Sequence, residues 1–330
     1  MTTIPTATAV DVPEEERIRR DRTESYEDLI RRLSRQSVTK HFDAYADIPW
    51  DEPAYRVDPD DPRWELSEED PFGATSWYRA QPPAVRSRIG LHTIATFAKI
   101  GAQFENVLSR GLLEYALKLP NGSVEFRYAY HEIIEESQHS LMFQEFVNRT
   151  GFDIPGLGWR ERFGSRRVVG HAKRFPPLFF VFVLGGEDPI DHVQRTMLRS
   201  GRDFHPLLRR IMQIHVTEEA RHLCFARHYL RRTVPKLNAV QRGILALGAP
   251  LILGEMSKLM MQVSPQVVRT HGIPREALRE AYVGNPTHRQ AKLDALRKVR
   301  ELLGELGVVT PWSRRLWERA GIWDAVPAVA

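Results

Sequence analysis

The sequence predicts an all-α protein built on a four-helix bundle. Three observations support this fold class: four segments of roughly 25 residues carry apolar side chains at helical spacing, no segment alternates like a strand, and helix breakers divide the four segments into two hairpins. We expect further helices after the bundle and an aromatic-rich arm before it. One domain should occupy residues 41–330, with the bundle at about 86–232 and accessory helices at 239–320.

The N-terminal region is polar and rich in proline. Residues 1–40 are predicted to be an extension that is mobile or forms a charged surface helix, with residues 11–35 as the helical candidate. Residues 43–83 read as a loop that holds three tryptophans: Trp50, Trp64 and Trp77. Because disordered segments are poor in aromatic residues, we expect this arm to wrap around the domain and bury its rings.

The first two bundle helices are separated by a strong helix breaker. Apolar spacing predicts a helix over residues 86–119, and the Pro-Asn-Gly sequence at 120–122 ends it. Ser123 is a suitable N-cap for the second helix, which should extend to about Arg149 before Gly151.

The other two bundle helices have equally clear ends. The third begins at the prolines 176–177 and ends near residues 200–201, and the glycines Gly185 and Gly186 within it predict a weakened or bulged turn. The fourth begins at His205 and Pro206 and extends to about residue 232. Accessory helices are predicted at 239–263, 275–283 and 288–306.

Composition excludes several classes of protein. Hydrophobic residues make up 42% and charged residues 27% of the 330 residues, which is typical of a globular chain. The one cysteine, Cys224, excludes a disulfide framework and a zinc site made of cysteines alone. The net charge is +5, but the basic pairs are scattered, which is untypical of a nucleic-acid binder. With neither a signal peptide nor a spanning helix predicted, we expect a soluble, cytoplasmic protein.

Two Glu-x-x-His motifs lie on the second and fourth predicted helices. Glu136 and His139 form the first motif, and Glu219 and His222 form the second. Residues three apart on a helix are surface neighbours, so each motif can present a carboxylate and an imidazole to one point.

Each hairpin also places a single glutamate level with its motif. Glu105 lies 16 residues before Asn121 and Glu136 lies 15 residues after it, so both stand roughly 23 Å from the turn. Glu187 of the third helix lies 16 residues before Asp203, and the second motif begins 16 residues after it.

One Glu from each of two helices, with Glu-x-x-His from each of the other two, is the ligand set of ferritin-like dinuclear carboxylate proteins. The bundle is therefore predicted to be ferritin-like and to hold two metal ions. Mixed carboxylate and imidazole donors suit iron or manganese better than a soft metal.

Four more residues lie near the motifs. His215, four residues before Glu219, shares its helix stripe and is either a third imidazole ligand or a supporting core histidine. Glu132 holds the equivalent place in the first half and is interpreted as an acid beside the ligands or on the substrate side. Glu135 and Glu218 point about 100° away from the stripe, which indicates solvated or structural side chains.

Seven of these residues, in type and order, resemble the ligand set of the p-aminobenzoate N-oxygenase family of non-haem di-iron enzymes: Glu105, Glu136, His139, Glu187, His215, Glu219 and His222. The third histidine distinguishes this pattern from fatty-acyl desaturases and ribonucleotide reductase small subunits. The resemblance implies two iron ions as the catalytic centre, O2 as co-substrate and a homodimer. It also implies oxidation of an amine to a hydroxylamine, nitroso or nitro product. Manganese or a mixed Mn/Fe centre is the alternative metal content.

The reaction and its electron supply stay open at this level. No glycine-rich turn for flavin or NAD is found, so electrons should come from a separate ferredoxin or reductase, or from peroxide. Lys99 and Arg88 precede Glu105, but no arginine lies within one turn of it, which leaves an aminobenzoate substrate open. The alternatives are a di-iron hydroxylase or desaturase acting at carbon of a small or acyl substrate, and a non-catalytic storage or oxidant-detoxifying protein. Neither a nucleic-acid nor a membrane partner is expected.

Overall fold

Every regular element in residues 24–323, the part of the chain that the computed structural model describes, is helical. The all-α prediction is thereby confirmed. The α-helices are α1 Tyr26–Thr39, α2 Ser76–Arg79, α3 Pro83–Ala116, α4 Val124–Thr150, α5 Trp159–Arg174, α6 Pro176–Arg199, α7 Pro206–Thr233, α8 Ala239–Met261, α9 Pro265–Thr270, α10 Arg275–Tyr282, α11 Pro286–Ala295, α12 Arg297–Glu305 and α13 Pro311–Arg319. Short 3-10 turns occupy Pro53–Tyr55, Pro62–Trp64 and Val234–Lys236.

Two antiparallel hairpins form the bundle. Helix α3 packs on α4, and α6 packs on α7, while contacts of α4 with α7 and of α3 with α6 join the two hairpins. The connection between the hairpins contains α5, which packs on both α3 and α6. The sequence analysis predicts no helix for this segment. In the structure the helix buries only Ala172, so its sequence has no wide apolar stripe from which a helix could be predicted.

The helix ends of the first hairpin follow from local chemistry. Helix α3 has proline in its first turn, and the turn after it passes through Gly122 at a positive φ of 82°. Ser123 does occupy the N-cap position of α4, but its hydroxyl donates to the Glu125 carboxylate instead of accepting a backbone N–H. Gly151, at φ 72°, ends α4 in the left-handed conformation.

Glycines in α3 and α6 allow the two hairpins to approach closely. Helix α6 remains α-helical through Gly185 and Gly186, so the predicted bulge is absent. A Cβ atom at Gly186 would lie 2.1 Å from Cζ of Phe104 on α3, and one at Gly111 on α3 would lie 2.1 Å from Phe179 on α6. Reciprocal glycine–phenylalanine contacts therefore hold α3 against α6.

The accessory helices cover α6. Helix α8 packs on α6 and α13 packs on α8, while residues 288–306 form two helices that break at Leu296 instead of one. Within the described residues, one helical stretch, Ala239–Thr270, has the length and apolar composition of a membrane span. In this stretch, 44% of the apolar window is buried inside the fold.

The arm before the bundle folds onto it. Trp50, Trp64, Phe72 and Tyr78 are buried, and the Tyr78 hydroxyl donates to the backbone carbonyl of Arg86 at 3.0 Å. Trp77 is half-buried. The rings thus anchor an otherwise irregular segment to the start of α3.

The first described helix, α1, packs on α4 and α7. Its side chains Leu29, Ile30 and Leu33 belong to the main hydrophobic core. The helical candidate 11–35 overlaps α1 only from Tyr26 onward, and its part before residue 24 lies outside the described residues.

Candidate metal centre

The structure brings all seven predicted ligands to one buried site between the four bundle helices. Each of the seven side chains is at most 2% exposed. Glu105 comes from α3, the first motif from α4, Glu187 from α6, and His215 and the second motif from α7.

Three sets of three residues have donor atoms that all lie within 4.8 Å of one another. The sets overlap, so they form one continuous cluster rather than separate sites. They are Glu105–His139–His215, Glu136–His139–Glu219 and Glu187–His215–Glu219.

The two motif carboxylates are shared by the two motif histidines. The Nδ1 atom of His139 lies 3.0 Å from Oε2 of Glu136 and 3.4 Å from Oε1 of Glu219. The Nδ1 atom of His222 lies 2.9 Å from Oε1 of Glu136 and 3.1 Å from Oε1 of Glu219. Both imidazoles therefore present the same nitrogen to the centre of the bundle.

His215 presents its other nitrogen. Its Nε2 lies 3.6 Å from Glu105, 3.7 Å from Glu219 and 3.9 Å from Glu187, measured to one oxygen of each carboxylate. Its Nδ1 is 2.9 Å from Oε1 of Gln194 on α6. A fixed outer nitrogen with the inner one aimed at carboxylates is the usual arrangement of a metal-binding histidine, so the geometry favours the ligand interpretation over the core one.

Glu135 and Glu218 support the motif histidines across the bundle. Oε2 of Glu135 lies 2.7 Å from Nε2 of His222, and Oε2 of Glu218 lies 2.9 Å from Nε2 of His139. Both carboxylates are buried, so of the two predicted alternatives, solvated or structural, the solvated one is wrong. The glutamate directly before each motif thus holds the histidine of the other motif in place.

Further contacts fix these two supporting carboxylates. Arg221 lies 2.8 Å from Glu135 and 3.6 Å from Glu218, and the backbone N–H of Phe42 in the arm donates to Glu218 at 3.1 Å. Burial raises the pKa of Glu135, but hydrogen bonds and charge from His222 and Arg221 outweigh it and bring that pKa to about 2. Glu135 is therefore an anion that accepts the His222 Nε2–H.

In the described residues, the carboxylate charge at the centre is balanced in part by histidines and not by lysine or arginine side chains. Burial, followed by repulsion from neighbouring carboxylates, raises the pKa of Glu105 and of Glu187 well above the ordinary value. Burial lowers the pKa of His139, yet hydrogen bonds to Glu136 and Glu218 outweigh this and raise it to about 10. Among residues 24–323, no lysine or arginine forms an ion pair with any of the four ligand-type carboxylates.

The residues present fit a pair of divalent metal ions. Glu105 and Glu219 each keep one buried oxygen, Oε2, without a hydrogen-bond partner. Isolated buried carboxylates cost several kcal/mol each, whereas two divalent ions carry the four positive charges that four carboxylates need. The donors are carboxylate oxygens and imidazole nitrogens, which suit iron and manganese.

Residues 23–307 match the family model described as P-aminobenzoate N-oxygenase AurF. The chain belongs to the p-aminobenzoate N-oxygenase family. This is a family of di-iron oxygenases, and the buried glutamate and histidine groups could hold metal ions in this member.

Relatives of this p-aminobenzoate N-oxygenase family member occur in mycobacteria. The chain is 41% identical over 303 residues to an uncharacterized protein of Mycobacterium tuberculosis (strain CDC 1551 / Oshkosh), covering 92% of this chain and 89% of the relative. An uncharacterized protein of Mycobacterium bovis (strain ATCC BAA-935 / AF2122/97) matches with the same identity and coverage. No solved structure matches the chain.

Glu132 lies outside the three candidate donor sets of this N-oxygenase family member. Its side chain is 0% exposed, and neither carboxylate oxygen has a hydrogen-bond partner. Burial raises its pKa to about 8. Glu132 is therefore a buried acid beside the candidate ligands. Like His222 it is in none of the three donor sets, but unlike His222 it has no hydrogen bond to a member of those sets.

Sequence reasoning missed the role of the two supporting glutamates. A signal was present, because each motif glutamate is directly preceded by a second glutamate, as Glu135–Glu136 and Glu218–Glu219. A side chain about 100° from its own ligand stripe points toward the neighbouring helix of a bundle. In each Glu-Glu pair, the first glutamate therefore indicates the side chain that holds a histidine, and the second indicates the candidate ligand.

Proposed function

We propose that the protein is a di-iron oxygenase that activates O2 and oxidises an amine, with arylamines as the substrate class, to a hydroxylamine, nitroso or nitro product. One observation carries this proposal: a third imidazole, His215, faces Glu105, Glu187 and Glu219, and so shares the Glu219 carboxylate with the two Glu-x-x-His motifs. Membership of the p-aminobenzoate N-oxygenase family supports oxidation at nitrogen rather than at carbon.

Each of the seven residues has a defined part in holding two iron ions. His139 and His222 would bind through Nδ1 and His215 through Nε2, the nitrogens that face the carboxylates. Glu136 and Glu219 lie between the two motif histidines, while Glu105 and Glu187 complete the set. When bound, ferrous iron supplies the electrons that reduce dioxygen.

The chain controls protonation around this site. Because Glu135 and Glu218 accept hydrogen bonds at the Nε2 atoms, loss of the Nδ1 protons on metal binding would leave the Nδ1 lone pairs of His222 and His139 facing the metal. Burial of all seven side chains keeps bulk water away from the site, which limits side reactions of an oxidant.

A direct test is anaerobic loading of the protein with iron, reduction, and addition of O2 in the presence of a panel of arylamines, alkylamines and fatty acids. We expect O2-dependent conversion of an arylamine to its hydroxylamine, nitroso or nitro derivative, identified by mass. The His222→Ala variant, treated identically, is the matched negative control. Products oxidised only at carbon would replace the proposal by a hydroxylase or desaturase, and iron oxidation without any product would indicate a storage or detoxifying protein.

The proposed enzyme is a homodimer joined through helix α8. Four large apolar side chains on one face of α8 are between 47% and 73% exposed: Val240, Ile244, Leu247 and Leu251. Their spacing of four, three and four residues is that of a coiled-coil seam. A stripe of this kind is buried in full when it packs on the same stripe of a second copy, related by a twofold axis.

Light scattering tests the dimer. We expect twice the chain mass for the wild type and a single chain mass for an Ile244→Glu/Leu251→Glu variant. Leu117→Glu, at an exposed apolar residue outside the seam, should leave the dimer intact. A monomeric wild type, or a dimer that survives the double substitution, would contradict the α8 interface.

A further inference from the structure

A basic groove lies outside the metal centre, where α5 crosses the α3–α4 hairpin. Its volume is about 810 Å³. Its lining includes no carboxylate. Four cationic side chains line it: Lys99, Arg110, Arg162 and Arg166.

The positive charge of the groove is not neutralised from within the protein. Lys99 donates a hydrogen bond to the neutral side chain of Gln144. In residues 24–323, no carboxylate lies within ion-pair distance of Lys99, Arg110, Arg162 or Arg166. Unpaired cations facing one concave surface create a field that attracts anionic partners and speeds their association.

The outer face of α5 extends this surface. Trp159 and Phe163 are 69% and 53% exposed, and each carries an arginine over its ring, Arg160 at 5.3 Å and Arg167 at 4.9 Å. Exposed aromatic and arginine side chains are the residues enriched in protein–protein interfaces. Helix α5 is roughly 24 Å long, which is a protein-sized rather than a ligand-sized surface.

The groove also lies directly behind the metal ligands. Its floor includes Ala102 and Asn106, which flank Glu105 on α3, and Ser137 and Ser140, which flank His139 on α4. A molecule seated in the groove is therefore separated from the ligand side chains by about one helix diameter, roughly 10 Å.

We propose that this basic face, formed by α5 and the groove beneath it, is the docking surface for a small acidic one-electron carrier protein of the ferredoxin type. The proposal rests on the function proposed above, because oxidation of an amine by O2 consumes electrons. The balance for the first step is RNH2 + O2 + 2 e⁻ + 2 H⁺ → RNHOH + H2O, so two reduced carriers supply the two electrons. The cations sit in a concave groove, which fits a convex acidic protein better than a flat anionic membrane.

Binding of a purified acidic [2Fe–2S] ferredoxin to the full-length protein, with and without iron, tests the proposal. We expect binding that weakens steeply with salt, and an Arg162→Glu/Arg166→Glu variant whose Kd is at least about tenfold higher. The control variant is Arg315→Glu/Arg319→Glu, which reverses two exposed arginines at the same spacing on α13. Equal thermal melts of the two variants would show that both retain the fold.

The outcomes separate this proposal from the oxygenase proposal. Loss of ferredoxin-supported turnover in the α5 variant, with peroxide-supported turnover unchanged, supports the docking surface. No ferredoxin binding by a protein that oxidises amines with peroxide overturns the docking surface and leaves the oxygenase standing. Binding to anionic phospholipid vesicles that is lost in the α5 variant, without ferredoxin binding, also overturns it. Salt-sensitive ferredoxin binding without any amine oxidation supports the surface and contradicts the oxygenase.

Discussion

The two hairpins of the bundle provide the same arrangement of candidate metal ligands. In each, one helix carries a glutamate level with the Glu-x-x-His motif of its partner helix, and that motif is directly preceded by a second glutamate. The first hairpin is α3–α4 and the second is α6–α7. The supporting glutamate of each hairpin contacts the histidine of the other, so neither hairpin completes its half of the site alone.

The hairpins differ four residues before the motif. The first has Glu132, which is buried without partners, and the second has His215, which Gln194 holds toward the ligand carboxylates. The shared arrangement of glutamates and motifs therefore supplies two equivalent halves of the candidate site. The residue four positions before each motif, Glu132 or His215, makes the two halves unequal. The second hairpin offers one more nitrogen donor, while the first places a buried acid near the candidate metal centre.

Removal of a motif histidine should have the largest effect. We expect His222→Ala to bind well under two iron ions per chain after anaerobic loading, because its Nδ1 contacts both shared carboxylates. His228→Ala, at a half-buried histidine later on α7, is the matched control and should bind iron as the wild type does. Metal analysis of the two desalted variants makes the measurement, and equal iron content in both would remove His222 from the ligand set.

Substitution of the supporting glutamates, Glu135 and Glu218, should have the second-largest effect on iron binding. Glu135→Gln and Glu218→Gln each lose the carboxylate that orients a motif histidine, and we expect iron affinity to fall about 10- to 100-fold in both. Glu145→Gln on α4, which breaks only the ion pair with Arg149, should leave the affinity unchanged. Competition with a chelator of known affinity measures this. A strong effect at one supporting glutamate and none at the other would break the equivalence of the hairpins.

Substitution of the residue four positions before each motif should affect the two hairpins differently. His215→Ala should keep the helical fold and lower the rate of iron oxidation by O2 about tenfold or more, since a metal ligand is lost. Glu132→Ala should retain two iron ions. Stopped-flow absorbance and metal analysis report the two quantities. Unchanged oxygen reactivity in His215→Ala would reduce His215 to a supporting residue.

The stability of the metal-free protein should depend on pH through Glu132. Its pKa rises from an ordinary 4.5 to about 8 on folding, so between these values the folded protein holds a proton that the unfolded chain has released. Stability therefore falls as pH rises through this window. Relative to Glu132→Gln, the wild type should lose a few kcal/mol of unfolding free energy from pH 5 to pH 8. Urea titrations at several pH values measure this, and parallel curves would count against the shift.

The reciprocal glycine contacts should give the smallest effects. Gly186→Ala and Gly111→Ala each force a methyl group against a phenylalanine, and we expect each to destabilise the protein by about 1–3 kcal/mol. Gly164→Ala, where no atom lies within 4 Å of the added carbon, should be neutral or slightly stabilising. Denaturant unfolding compares the three. A large loss at only one of the two contacts would show that the hairpins pack unequally.

Sequence spacing is sufficient to predict the helix ends and the level of the candidate ligands along the bundle. It is not sufficient to predict the contacts between side chains of different helices. The breakers at 120–122 and the prolines at 176–177 place the helix ends, and equal distances from the turns bring the glutamates and motifs level. The burial of Glu135 and the absence of a bulge at Gly186 depend on the neighbouring helix, which no periodicity within one helix records. Helix α5 was missed for a similar reason, because it is mostly exposed and lacks a wide apolar stripe.

Anaerobic titration of the metal-free wild-type protein with ferrous iron tests the central claim most directly. Four buried carboxylates and three histidines in one cluster predict saturation at two iron ions per chain. Saturation at one ion per chain, or a preference for a single zinc ion under the same conditions, would contradict the dinuclear centre.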